Sequence, residues 1–252
     1  MNKILFSKKL IVIILMFIPL FLFAENKIKI RGKIEGLKDN TLIAIFKDPH
    51  AESIISECYP KNGEFEMNAT VDYSLSLTYI GFKGYKPCYK LFSYNDEIMV
   101  TGDVKNIDKL TISGGKYMND LLQAQKLGID SRRDTLESWS NSKVSLSNKE
   151  LLMLLCRVNI LAKSTRDDVA TFVTQKPGSP ISAYLFYKTI HFYESKNEMK
   201  KIMNMFVGDA KNTTYYEMLS SEFDLYSLGV FPTKKINDKI KELEKALEQE
   251  KK

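Results

Sequence analysis

Apolar and charged positions alternate along residues 27–113. Ile28, Ile30, Gly32 and Ile34 fall on one side of an extended segment and Lys27, Lys29, Arg31 and Lys33 on the other, the period of a half-buried strand. Turn residues then punctuate further short segments at 41–47, 52–59, 64–71, 75–82, 88–94, 96–102 and 109–113. Lys61-Asn62-Gly63 predicts a hairpin, because Asn and Gly accept the positive φ angles of a two-residue turn. So many short strands at this spacing predict an antiparallel β-sandwich or open barrel.

After Gly114-Gly115 a three-to-four residue period replaces the alternation. Ser147 with Glu150, and Ser195 with Glu198, have the spacing of a capping box, in which the hydroxyl and the carboxylate each bond a free amide at the helix start. Thr214 with Glu217 opens another helix, and Ser179-Pro180 sets a cap residue before a proline at the first helical position. In the tail, Ile236, Ile240, Leu243 and Leu247 form a stripe among lysines and glutamates, which suits an end-helix laid on the domain or a short dimerisation zipper. The predicted fold is therefore α+β, an N-terminal antiparallel β-sandwich-like domain followed by an all-helical C-terminal region. Its divisions are a signal peptide at 1–24, a β domain at 25–114, a helical domain at 115–232 and a charged helix at 233–252, with two cores.

The first division rests on Lys3, Lys8 and Lys9 followed by an apolar run at residues 10–24, the layout of an export signal. The run is shorter than the roughly 20 residues that span a bilayer. Cleavage near Ala24, before Glu25, is expected, with a periplasmic or secreted product and no stable membrane span. Leu22, large for a position three residues from a cut, leaves an uncleaved anchor open. Cleavage would remove three lysines and lower the formal charge from +6 by 3 to +3. The remaining charges are interspersed, which argues against a nucleic-acid surface.

Candidate chemistry is sparse. Three cysteines, Cys58, Cys88 and Cys156, show no metal-type or C-x-x-C spacing. Cys58 and Cys88 are the candidate redox thiols, with a disulfide between them or buried free thiols as alternatives. The two histidines, His50 and His191, sit apart, and no Gly-x-Ser-x-Gly elbow accompanies them. Gly114-Gly115-Lys116 lacks the rest of a phosphate loop and reads as a turn. Asp96-Glu97 reads as a hairpin turn, and Asp167-Asp168 as a helix start. No catalytic residue, cofactor site or metal site is predicted, and the chain is read as not an enzyme. Tyr79, Phe82, Tyr85 and Tyr89, within a run that also holds Tyr73, Phe92 and Tyr94, form a candidate ligand surface for a glycan or peptide; core packing is the alternative.

Three segments carry a family resemblance: IKIRGKIEGLKDNTLIAIF at 28–46, NGEFEMNATV at 62–71 and DEIMVTGDVKNIDKLTISGG at 96–115. The sequence resembles the N-terminal domain of unknown function, family number 4369, that precedes the thioredoxin-like domain of bacterial envelope thiol-disulfide oxidoreductases. The stretch AKSTRDDVATFVTQKPGSPISAYLFY at 162–187 is similar to the segment that follows it in that family. The resemblance implies a thioredoxin fold with a Trp-Cys-x-x-Cys site after about residue 227, where this chain instead has its lysine–glutamate helix. The expected function is a non-catalytic exported accessory or binding module with a protein or glycan partner in the envelope. A regulatory or split component of a periplasmic redox system is the alternative.

Overall fold

The computed structural model describes residues 26–47, 53–71, 77–86, 88–92, 95–140, 146–193, 195–225 and 232–249. The export segment, His50, Tyr73 and Tyr94 lie outside the described residues. Among the described residues, eight strands form where the alternation predicts them: β1 (Asn26–Glu35), β2 (Ile43–Phe46), β3 (Ile54–Cys58), β4 (Glu64–Val71), β5 (Leu77–Phe82), β6 (Tyr89–Phe92), β7 (Glu97–Asp103) and β8 (Thr111–Gly114). They divide into two four-stranded sheets, ordered β4-β1-β7-β8 and β3-β2-β5-β6.

The apolar sides of β1 and β4 meet the second sheet, where the Phe65 ring meets the edge of Phe82 at a centroid distance of 6.2 Å. The other side of the first sheet is a lattice of ion pairs. Arg31 reaches Glu66 at 3.0 Å and Glu97 at 3.1 Å, and Lys33 reaches Glu64 at 2.7 Å. Lys33 holds the Glu64 carboxyl below the usual carboxylate range, and Lys29, at 3.1 Å, followed by Arg31 does the same for Glu66. The basic stripe of β1 is thus matched by its neighbouring strands.

Two features differ from the pattern expected of antiparallel hairpins. β1 and β7 pair in parallel, with Lys29 beside Glu97, because the intervening strands supply the long crossover that a parallel pair needs. The Asn62-Gly63 turn does form, with φ of 54° and 77°. Its arms then separate: β3 pairs with β2 in one sheet and β4 with β1 in the other. The turn is held by Asn62 N–H donating to Asp39 at 2.8 Å, and Ser56 Oγ donates to the Asn68 carbonyl at 3.0 Å across the gap.

Ile43, Ala44 and Ile45 are consecutively buried, so β2 is covered on both faces. The second cover is helical. The helices are α1 (Met118–Lys126), α2 (Ile129–Ser140), α3 (Asn148–Gln175), α4 (Pro180–Thr189), α5 (Lys196–Met203), α6 (Thr214–Leu225) and α7 (Pro232–Gln249). Phe92 N–H points at the Met118 sulfur at 3.2 Å, and the Leu77 N–H donates to the Tyr215 hydroxyl at 3.2 Å. Among the described residues, buried side chains form one connected cluster from Ile28 in β1 to Leu219 in α6, in place of the two cores expected.

Local capping explains most helix starts. Ser147 and Glu150 make the full reciprocal box, and Ser179 caps α4 ahead of Pro180. Ser195 caps α5, its hydroxyl accepting from the Glu198 N–H at 3.3 Å. At α6 the cap is Thr213 rather than Thr214, its hydroxyl accepting from the Tyr216 N–H at 3.0 Å. Asp167 and Asp168 lie inside α3, not at a helix start. They bond Lys163 at 2.7 Å and Arg132 at 2.6 Å.

Candidate functional site

The four aromatic candidates do not share a surface. Residues three apart on a strand point to opposite faces, which separates Tyr79 from Phe82. Phe82 is buried between the sheets against Phe65. Tyr89 pairs with Ile80 and shares its face, and its hydroxyl donates to the Ile107 carbonyl and accepts from the Leu110 N–H at 3.2 Å. Tyr89 therefore pins the short 3-10 segment Val104–Lys109 to β6. Burial raises its pKa. Tyr85 is half-buried against the core, after a turn closed by its N–H on the Phe82 carbonyl at 3.0 Å. Tyr79 faces the helices, near enough to Tyr184 and Tyr215 to oppose their ionisation.

The candidate thiols are also apart. Cys58 aligns with Ile43, and Ile43 with Phe82, so these three side chains face the first sheet. Cys88 Sγ lies 3.0 Å from where a Cβ on Gly81 would stand, on the opposite face. A disulfide between them is thereby ruled out, and both are free. Burial pushes the Cys58 thiol up to about 11, which keeps it protonated and slow as a nucleophile at neutral pH.

Gly114-Gly115-Lys116 is a turn that latches the sheets to the helices. Asp96 accepts from the Lys116 N–H at 2.6 Å, while the Lys116 ammonium meets Asp209 at 2.8 Å and lies 4.9 Å from the centroid of the Tyr117 ring. The Tyr117 hydroxyl also donates to Asp209. Both donors hold the Asp209 carboxyl below its ordinary value. His191 lies in the 3-10 turn Ile190–Phe192, its ring 4.1 Å from that of Phe192. Among the described residues no group of three or more metal-ligating side chains converges, and no described helix is long and apolar enough to cross a membrane.

The structure brings together a site that sequence reasoning missed. A cavity of about 240 Å³ opens where the second sheet meets α1, α2 and α4. Leu121, Ala124, Ile129 and Leu185 supply apolar wall, and Lys90, Asp130, Tyr184 and Lys188 supply the polar groups. The Lys90 ammonium pairs with Asp130, whose side chain is 42% exposed. Lys188 Nζ lies 6.0 Å from the centroid of the Tyr184 ring. Tyr184 itself is buried, its pKa raised chiefly by desolvation and then by Asp130, so its hydroxyl stays protonated. Its ring meets Tyr215 at 5.2 Å, fixing the orientation of α4 against α6. The arrangement encloses a small, mostly apolar space bordered by the Lys90–Asp130 pair.

Residues 28–121 match the family described as Domain of unknown function (DUF4369). The N-terminal domain is a DUF4369 domain. The match takes in the two sheets and ends at Leu121, on the helix that lines the cavity. The DUF4369 domain thus contributes Lys90 and Leu121 to the cavity wall, and the helical region contributes Asp130, Tyr184 and Lys188. No curated protein matches the chain.

Proposed function

We propose that the chain is a non-catalytic accessory or binding module, exported to the cell envelope by its N-terminal segment. The supporting observation is where displaced ionisations lie. Among the described residues, each such group either sits in a contact that holds the fold, such as Arg31–Glu66, Lys33–Glu64, Lys116–Asp209 or the Ser147–Glu150 cap, or is displaced chiefly by burial, like Cys58, Tyr193 and Tyr215. Where such groups border open space, as Arg31, Lys33, Glu64 and Glu66 do on the outer face of the first sheet and Tyr184 does at the cavity, they are paired with one another across the strands or displaced chiefly by burial, whereas an active site would turn them toward a substrate.

The competing reading is a regulatory or split component of a periplasmic thiol–disulfide system. It needs an accessible thiolate, and Cys88 is the exposed thiol on which it rests. Purifying the chain from a periplasmic extract and measuring its mass and titratable thiols, with and without reductant, separates the two. The expected product begins at Glu25 and yields all three thiols under both conditions. A partner released from Cys88 by reductant establishes the redox reading instead. A full-length chain retained in the cytoplasm overturns export.

A further inference from the structure

A surface helix turns apolar residues to the body and polar ones to water. The second half of α3 obeys: Thr165, Val169 and Phe172 are buried, while Lys163, Asp167, Thr171 and Thr174 are exposed. Its first half does not. Every residue from Leu151 to Leu161 except Arg157 and Asn159 is apolar, and none of them is buried. Residues seven apart share a helix face, so Met153 and Ile160 continue the outward face of Asp167 and Thr174, and they stand 50% and 70% exposed on it. α7 covers another side of α3, with Leu243 alone buried among its described side chains. The α3–α7 layer thus carries an apolar outer face.

The charges of α7 say what covers that face. Four of its five lysines lie in residues 232–241 and three of its four acids in residues 242–249. The helix dipole favours the reverse, acids in the first turn and bases in the last, and α7 has neither. Among the described residues its ion pair, Lys239 with Glu242 at 2.7 Å, stays within the helix, and no ion pair joins Lys241, Glu244 or Glu248 to another described residue. A second copy related by a two-fold axis removes the mismatch, because antiparallel α7 helices set each lysine-rich end beside the other copy's acidic end, and symmetry makes the contact twice. A partner of one charge sign, such as an anionic membrane, would attract one end and repel the other. We propose that the outer faces of α3 and α7 are the interface with a second copy of this chain, a four-helix arrangement in which Met153 of each α3 meets Ile160 of the other and the α7 helices run antiparallel. Exposed Arg157, between the two apolar residues, reaches past them to the rim, as long cationic side chains do. The interface extends the α3–α7 packing within each chain, and it rests neither on export nor on Cys88.

The test is sedimentation velocity over a concentration series, on protein purified after expression of the whole reading frame and kept in reductant so that no disulfide contributes. A dimer with a dissociation constant of about 10 μM or tighter is expected. Ile160→Glu, which sets a charge in the apolar contact at a position already exposed in the single chain, should weaken association about tenfold or more with the far-UV circular dichroism retained. Two further variants test the charges of α7. Lys239→Glu with Lys241→Glu, and separately Glu244→Lys with Glu248→Lys, should each weaken self-association, and an equimolar mixture of the two should regain it as a heterodimer, because each altered end then meets its opposite. This mixing result does not depend on how the Ile160 variant folds. A monomer at every concentration overturns the proposal, as does a dimer indifferent to Ile160→Glu and to both charge reversals, which would use another face. A monomer that instead floats with anionic phospholipid vesicles, and loses this with Ile160→Glu, assigns the face to lipid and overturns it too.

Discussion

Phe65 fills the space over Gly32, its partner across the β1–β4 pair, and the ring continues inward to meet Phe82. A Cβ at position 32 would stand 2.1 Å from two atoms of that ring. The ring cannot swing away cheaply, because Phe65 is buried and its far edge is already packed. Gly32→Ala therefore forces a shift of Phe65 or of the strand backbone, and overpacking of this kind costs about 1–3 kcal/mol. Urea denaturation should show a lower midpoint with an unchanged slope. The double substitution Gly32→Ala with Phe65→Leu should regain part of the loss, because the shorter side chain vacates the contested volume. A single change without effect would mean that Phe65 is not confined as described.

At the scale of elements, the eight strands were legible because burial on one face imposes a period of two, and the caps because free amides at a helix start demand an acceptor. What the pattern left open was partnership. Asn62-Gly63 specifies a tight turn, but nothing in those two residues requires β3 and β4 to remain in one sheet. Thr213 and Thr214 offer the same hydroxyl, and only the bond to the Tyr216 N–H decides between them. The tail stripe was likewise ambiguous between a zipper and an end-helix. In the structure α7 lies along α3, and Leu243, at 4% exposure, is the buried member of the stripe, with Ile236, Ile240 and Leu247 half-buried. Leu243→Ala should thus destabilise the helical region by about 2–3 kcal/mol, and Ile240→Ala by less. Limited proteolysis should release α7 sooner from the Leu243 variant than from the Ile240 variant. Equal rates would mean that α7 is not held through Leu243.

For the whole molecule, the cavity was illegible because its residues come from β6, α1, α2 and α4, segments that no local pattern connects. The same is true of the latch that joins the sheets to the helical region, Lys116 and Tyr117 on Asp209. Its pH dependence follows from the direction of each shift. The Asp209 carboxyl is held below its ordinary value by its hydrogen bonds from Lys116 and Tyr117, so its contribution is present above the unfolded-state value of about 3.9 and is lost as pH falls through the lower folded-state value. The Lys116 ammonium is raised, chiefly by its bond to Asp209, so its contribution is present below the unfolded-state value of about 10.4 and is lost as pH rises through the folded-state value. The latch is therefore intact across neutral pH. Asp209→Asn, which keeps the shape and removes the charge, should lower the melting temperature by no more than about 2–4 °C there, since Lys116 is largely exposed and water screens the pair. Melting curves of the two proteins should run parallel from about pH 5 to about pH 9 and converge in acid, where the unaltered Asp209 is itself protonated. A gap that persists at the acid limit would assign the loss to altered packing of the Gly208–Asn212 turn, and the electrostatic account of the latch would fail.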